Sequence, residues 1–228
     1  MRTFCIGDIH GGYKALIECL QRSSFDYQQD RLIVLGDVCD GYPQVDRCIN
    51  ELLKIAHCDY ILGNHDLWAL DWALRDEAPD LWVTQGGQGT LSSYPNGMPQ
   101  AHIDFLKHGR FYLELDNKIF VHGGFDPSKP IKIQQQTEFA WDRKMIYDAW
   151  SQSVRDPNVQ IGSYEEIYLG HTPTHRQFDS KVPLKMGNVW AMDTGAGWGE
   201  CLSIMDIDTK EYWQSQANVI LYNGSRGR

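Results

Sequence analysis

The 228-residue chain carries 21 Lys and Arg against 30 Asp and Glu, a formal net charge of −9 at pH 7, with 42% hydrophobic residues. That length suits one sizeable α/β domain, and the hydrophobic fraction is enough for a buried core. The acidic balance argues against a nucleic-acid groove, which needs a basic face. It leaves a phosphorylated substrate open, because bound divalent metals supply local positive charge that a whole-chain count does not show.

In chain order, residues 3–6 read as a brief strand, and residues 13–22 as a helix, with Leu16, Ile17 and Leu20 at helical spacing. Residues 31–35 form a buried strand. Residues 45–55 are helical, with Val45, Ile49, Leu52, Leu53 and Ile55 on the apolar face. Residues 58–62 are a third strand, and 67–74 open another helix. Strand–helix alternation predicts a largely parallel sheet with helices on its faces, and such sheets gather ligands at the carboxyl ends of their strands.

Residues 75–110 break this pattern with Glu77-Ala78-Pro79-Asp80, Gly86-Gly87-Gln88-Gly89 and Pro95-Asn96-Gly97-Met98-Pro99. They read as a helical and loop insertion, either a cap over a substrate or a solvated excursion. The second half predicts strands at 111–115, 118–122, 166–169, 189–192, 202–207 and 219–222, with Asp116-Asn117 as a hairpin turn. No repeat, low-complexity tract or linker divides the chain, so residues 1–228 are expected to form a single domain. Residues 223–228 are expected to fray. Neither a signal peptide nor a run of about 18 apolar residues is visible, so no membrane segment is expected. The six cysteines form no CxxC pair and are expected to be free thiols of a cytoplasmic protein.

Metal-ligand residues recur where the strands end: Gly7-Asp8-Ile9-His10-Gly11, Gly36-Asp37-Val38-Cys39-Asp40, Gly63-Asn64-His65-Asp66, Val121-His122-Gly123 and Gly170-His171. Singly, each has a plain reading: a turn, a helix cap, or a surface histidine at a strand end. Jointly they match a two-metal site for phosphoester hydrolysis, where ions about 3.5–4 Å apart generate the nucleophile and cradle the phosphoryl oxygens. Asp8 and His10 stand two apart, so an extended segment points both the same way. Asp37 follows the second strand, where a carboxylate could bridge both ions. Carboxylate, imidazole and amide ligands suit manganese, iron and zinc.

GDIHG, GDVCD, GNHD, VHGG and GHTP resemble the metallophosphoesterase superfamily. The likeness is greatest to its phosphoprotein phosphatase branch, which includes serine/threonine phosphatases and bacterial symmetrical diadenosine tetraphosphate hydrolases. The resemblance runs over about residues 2–199, and Trp141-Asp142-Arg143 and Asp193-Thr194-Gly195 are similar to later motifs of bacterial members. It implies a calcineurin-like α/β fold, a two-sheet β-sandwich flanked by helices, with two divalent ions, manganese foremost. Asp8, His10 and Asp37 would hold one ion, and Asp37, Asn64, His122 and His171 the other, with a bridging hydroxide as nucleophile. His65 would be the general acid, oriented by Asp40; Arg143 and Asn64 would contact the substrate phosphate.

The branch usually reads Asp-Arg-Gly where this chain has Asp40-Gly41-Tyr42, so one phosphate-gripping arginine is absent. Arg47, Arg176 or the Tyr42 hydroxyl are the candidate replacements. Asp66 stands where eukaryotic serine/threonine phosphatases have Glu, as in the bacterial and dinucleotide-hydrolysing relatives. His57, His102, His108 and His175 lack partner spacing and are expected on the surface. Trp68 and Trp72, four apart, are expected in the core, and Trp82 and Tyr94 are the candidate substrate contacts of the 75–110 segment. The expected activity is a phosphomonoesterase on phosphoserine or phosphothreonine in proteins. Hydrolysis of dinucleoside polyphosphates and a non-catalytic metal-dependent scaffold are the competing readings; no nucleic-acid or membrane partner is expected, and oligomeric state is not legible.

Overall fold

The computed structural model describes residues 1–225 and 227–228. The chain begins with three strand–helix units: β1 (Thr3–Ile6), α1 (Tyr13–Arg22), β2 (Arg31–Val34), α2 (Val45–Leu52), β3 (His57–Tyr60) and α3 (Asn64–Arg75). All six fall where the sequence predicts them. The helix α3 starts three residues early, because Gly63 is extended and its N–H is capped by the Asp66 carboxylate (2.9 Å). Short helices follow at α4 (Asp80–Trp82), α5 (Gln88–Ser93) and α6 (Gln100–Lys107), with a π-type turn over Val83–Gly87 between the first two.

The second half contains β4 (Tyr112–Leu115), β5 (Lys118–Val121), α7 (Gln136–Trp141), α8 (Lys144–Ser153), β6 (Glu166–Leu169), α9 (Thr174–Gln177), β7 (Leu184–Met186), β8 (Val189–Ala191), β9 (Ser203–Asp206), β10 (Tyr212–Gln214) and α10 (Asn218–Leu221). Asp116 and Asn117 join β4 to β5 with φ of +48° and +58°, the left-handed pair that a two-residue hairpin needs.

Two five-stranded sheets form, in the orders β10-β9-β1-β2-β3 and β4-β5-β6-β8-β7. The first is parallel from β1 to its β3 edge and antiparallel over β10, β9 and β1, and the second is parallel over β5, β6 and β8 with antiparallel edges β4 and β7, which corrects the plain parallel-sheet expectation and agrees with the two-sheet one. Side-chain alternation explains why two layers of core are needed. Phe4, Ile6, Leu32 and Val34 pack toward α1 and α2, whereas Cys5 and Ile33 point to the opposite face. Ile119, Val121, Ile167 and Leu169 likewise face α7 and α8, while Phe120 and Tyr168 stack 4.7 Å apart between the sheets. The core between the sheets therefore joins Cys5, Ile33 and Leu35 to Phe120, Tyr168 and Met192. All six cysteines are unpaired.

Residues 219–222 are not a strand: Asn218–Leu221 is a helical turn. A short apolar run does not declare its period, and here Asn218 decides the matter by donating its side-chain amide to the Ala196 carbonyl (3.0 Å). The strands β7 and β10, three residues each, were too short for alternation to reveal. The 75–110 segment packs Trp82, Tyr94, Met98, Ile103 and Leu106 into the first core. His102 is buried there, bonded to the Tyr94 hydroxyl (2.8 Å) and the Asn50 carboxamide (3.1 Å), not exposed as expected; His57 and His108 are exposed and His175 half-buried. Residues 223–225 and 227–228 are tied down, with Gly224 N–H donating to Val219 (2.7 Å), Tyr42 hydroxyl to the Ser225 carbonyl (3.2 Å) and Arg228 N–H to Gly197 (3.1 Å).

One buried side chain joins the loops after β2 and β3. The Asp66 carboxylate accepts the amides of Asp37 (2.7 Å) and Gly63 (2.9 Å) on one oxygen and those of Val38 (3.0 Å) and Cys39 (3.1 Å) on the other. Asp66→Asn turns one of those oxygens into a donor and leaves two buried amides facing it. We expect a loss of about 3 kcal/mol, from 1–3 kcal/mol for each orphaned group. In a chain of this size that lowers the melting temperature by roughly 6–12 °C. Thermal melts in excess chelator measure it, and a shift under about 2 °C would contradict the role given to Asp66.

Candidate active site and metal centre

The loops at the carboxyl ends of β1, β2, β3, β5 and β6 converge between the two sheets. Asp8, His10, Asp37, Asn64, His122 and His171 are all buried there. Donor atoms of Asp8, His10 and Asp37 lie within 4.8 Å of one another, and so do those of Asp37, His122 and His171. Asp37 belongs to both groups: its Oδ2 is 3.6 Å from His10 Nε2 and 3.4 Å from His122 Nε2. Asn64 Oδ1 lies 3.2 Å from the same His122 nitrogen. The structure thus brings all six together.

Local backbone geometry makes this possible. His10, Asp37, Asp40 and His171 have φ of +49°, +50°, +70° and +65°, conformations that cost free energy outside glycine and asparagine and persist only where neighbours enforce them. Close approach is enforced too: a Cβ at Gly170 would lie 2.4 Å from Asp8 Oδ1. With none there, the His171 N–H donates to the Asp8 carboxylate (3.1 and 3.2 Å).

The imidazoles are held in one tautomer. His10 Nδ1 donates to the Cys39 carbonyl (3.0 Å) and His122 Nδ1 to the Leu35 carbonyl (2.6 Å), so each presents Nε2 to the cluster. His122 Nε2 then faces a carboxylate and an amide oxygen, and His171 Nε2 is buried without a hydrogen-bond partner. Lone pairs that converge on common points, with one buried nitrogen left over, fit two divalent cations. Without cations the crowding shows as opposed titration shifts within the cluster. Burial works to lower His122, but Asp37 and Asp8 push it up to about 10. Burial and the nearby Asp193 carry Asp8 well above the usual carboxylate range. Burial would raise Asp37, yet His122, His65 and His10 hold it well below that range.

His65 and Asp40 form the second element. His65 Nδ1 donates to Asp40 Oδ2 (2.6 Å), and both are buried. Two residues that sequence reasoning missed in this role complete the shell around Asp40. The Trp82 indole donates to Oδ2 (2.8 Å) and the Thr90 hydroxyl to Oδ1 (2.7 Å), while Thr90 Oγ1 accepts the Asp40 N–H (2.8 Å). Trp82 and Tyr94 are buried, so neither is the substrate contact expected of it. Trp72 is buried as expected. Trp68 is only half-buried, because its indole turns edge-on to His65 (5.2 Å) and to Trp141 (4.9 Å). Trp141 is 43% exposed and lies 6.5 Å from His171.

Arg143 reaches the cluster, its Nη1 3.4 Å from the His171 carbonyl and from Thr172 Oγ1. The three candidate replacements for the arginine absent at position 41 do not. Arg47 is exposed over Tyr13 (5.9 Å), and Arg176 is exposed over Trp198 (4.1 Å). Tyr42 is buried, stacked on Tyr222 (4.2 Å) with its hydroxyl given to Ser225.

Residues 1–194 match the family model described as calcineurin-like phosphoesterase. The chain is 29% identical to a serine/threonine-protein phosphatase 1 of Salmonella typhimurium over 214 residues, covering 90% of this chain and 91% of that one. It is 22% identical to a symmetrical bis(5'-nucleosyl)-tetraphosphatase of Actinobacillus succinogenes over 273 residues, 95% of this chain and 98% of that one. A solved chain with a proposed diadenosine tetraphosphatase activity superposes with a TM-score of 0.70 at 19% identity, covering 95% of this chain and 93% of that one, a likeness of fold. A family match across the residues that build the cluster, on a fold of two flanked five-stranded sheets, identifies the chain as a member of the calcineurin-like phosphoesterase family, a metal-dependent phosphatase.

Proposed function

We propose that this phosphatase acts on phosphoserine or phosphothreonine in proteins, as a single domain holding two manganese ions. What supports the reading is a relative matched along nearly its whole length at 29% identity, against 22% for the full-length tetraphosphatase. The Salmonella relative aligns over 214 residues with little excess, whereas the tetraphosphatase alignment spans 273 positions against 228 residues here, leaving at least 45 without a counterpart. One feature favours dinucleoside polyphosphates as a second reading: the Trp68–Trp141 pair offers an indole surface beside His65 and His171 on which a nucleobase could stack.

Asp8, His10 and Asp37 would hold one ion, and Asp37, Asn64, His122 and His171 the other. Bound there, the ions would lower the pKa of water and offset the charge of the phosphoryl oxygens. This oxygen- and imidazole-rich donor set suits manganese and iron, with zinc also compatible. The chain supplies the rest. Arg143 offers a planar guanidinium to the phosphate, with Asn64 beside it. His65, with Nδ1 bonded to Asp40, keeps Nε2 as the atom that delivers a proton to the departing serine or threonine oxygen. Asp40 holds that tautomer and stabilises the imidazolium, and Trp82 and Thr90 fix Asp40 in turn. The unpaired cysteines support a cytoplasmic setting, and among the described residues no helix is long and apolar enough to cross a membrane.

The test of the substrate class is hydrolysis, with added manganese, of a phosphothreonine peptide and diadenosine tetraphosphate side by side, with products identified. Free phosphate from the peptide is expected; adenosine diphosphate from the dinucleotide with an inert peptide would replace the leading reading by the second. Asp37→Asn removes the shared carboxylate and is expected to empty both metal positions by elemental analysis, so full metal content would sink the bridging assignment. His65→Asn is expected to keep the metals and lower turnover by about 100- to 10,000-fold. The loss is expected to be smaller on an aryl phosphate, whose leaving group needs no proton, than on an alkyl one. Equal losses on both would speak against a leaving-group role.

A further inference from the structure

The arginine missing after Asp40 has a physical cause and a replacement. Gly41 has φ of +77°, a conformation that side chains rarely adopt, and a Cβ there would lie 2.9 Å from the His10 carbonyl oxygen. Its N–H is committed to the Gly86 carbonyl (2.9 Å). An arginine at position 41 would be strained in this backbone.

A different guanidinium enters the same place. The Arg228 side chain passes beside Gly86, where an added Cβ would come within 2.9 Å of its Cγ and 3.1 Å of the Gly41 amide. Its Nη1 donates to His10 Nε2 (2.8 Å), and its guanidinium lies 5.0 Å over the Trp198 ring. Its backbone N–H is anchored on the Gly197 carbonyl (3.1 Å). Its Nε is buried with no hydrogen-bond partner, and among the described residues no carboxylate lies within 4.0 Å of it. The guanidinium acts at longer range on Asp193, whose carboxyl it pulls down against burial, but with an unused donor and no carboxylate in direct contact it can still receive an oxyanion. Arg143, also without a carboxylate partner among the described residues, stands at His171. The two guanidiniums therefore bracket the cluster, one at a ligand of each three-residue group.

We propose that Arg228 is a phosphate-contacting residue of this active site, gripping the phosphoryl group from the His10 side while Arg143 grips it from the His171 side. The proposal rests on the two-metal reading above. If His10 held an ion, its Nε2 lone pair would no longer accept from Arg228, and the guanidinium, turned off that nitrogen, would have its donors open to phosphoryl oxygens. A planar fork suits two such oxygens at once, which a lysine ammonium does not.

The test is the affinity of manganese-loaded protein for inorganic phosphate, by calorimetry, for wild type, Arg228→Ala, Arg228→Lys and Arg143→Ala, with metal content measured on each. Arg228→Ala is expected to keep its manganese and bind phosphate about 10- to 100-fold more weakly, the range for a lost charge-assisted pair. Arg228→Lys is expected to recover only part, and the KM for a phosphopeptide to rise with the dissociation constant. Unchanged phosphate affinity in Arg228→Ala, beside a weakened Arg143→Ala, would overturn this proposal and leave the site reading standing. Tighter binding in Arg228→Ala would also overturn it, making the side chain an occluding group. Wild type that loads no manganese would remove the two-metal reading and this proposal with it.

Discussion

The Asp66 carboxylate is the constraint on which the site depends. Four amides from two loops end on its two oxygens, and its burial makes every one of those bonds costly to lose. They hold Asp37 at a φ that an aspartate seldom adopts, and they set the first turn of α3. The next layer of the arrangement is reciprocal: Asp37 Oδ1 accepts the His65 N–H (3.0 Å). Positions 37 and 65 are therefore joined by a bond from the His65 backbone to the Asp37 carboxylate that needs no metal. That is preorganisation in its literal sense, because side chains of opposite roles are spaced by hydrogen bonds that do not take part in the chemistry.

Charge explains what the fold leaves open. Asp8, Asp37, Asp40, Asp66 and Asp193 are all buried in or beside the cluster. Burial raises Asp193 to about 6 and carries Asp8 well above the ordinary range, so the metal-free cluster resists holding all its carboxylates ionised at once. His10 and His171 are pushed the opposite way, well below the usual imidazole range, by burial and by the cations Arg228 and His122 respectively. Divalent ions require neutral imidazoles, which His10 and His171 already offer, and ionised carboxylates, so their binding would displace the protons that crowding retains on Asp8 and His122. On the proposed reading, a chain with a net charge of −9 would draw the positive field of its phosphate site from ions and two guanidiniums rather than from a basic surface.

Much of this was legible in the sequence, for identifiable reasons. The first six elements follow from apolar spacing, and the six candidate metal ligands follow from residue types that recur at strand ends; the structure brings them together. The remainder depends on contacts that no local pattern encodes. Asp40 is served by Trp82 and Thr90, 42 and 50 residues away, and the signal near them, Gly86-Gly87-Gln88-Gly89, reads only as a break. Residues 219–222 were ambiguous because a short apolar run fits both a strand and a buried helical turn. Residues 223–228, polar and glycine-rich, carry the composition of a loose tail, yet Arg228 docks 218 residues from its partner His10.

The 75–110 segment shows what such remote contacts do for the Asp40–His65 pair. Its aromatic residues face inward, so its contribution is not a stacking surface but a scaffold for one carboxylate. Asp40 is fully buried, and a buried carboxylate needs several donors to stay in place. His65 alone would satisfy one lone pair and leave the group free to turn. The indole N–H of Trp82 and the hydroxyl of Thr90 occupy both oxygens, and the Thr90–Asp40 N–H bond locks the loop that carries it. The plane of the carboxylate is then set by one segment and its partner imidazole by another. In the proposed role of His65 as proton donor, an orientation set by two segments packed into one core, with Trp72 of α3 5.8 Å from Trp82, would hold its aim while substrate and product exchange around it.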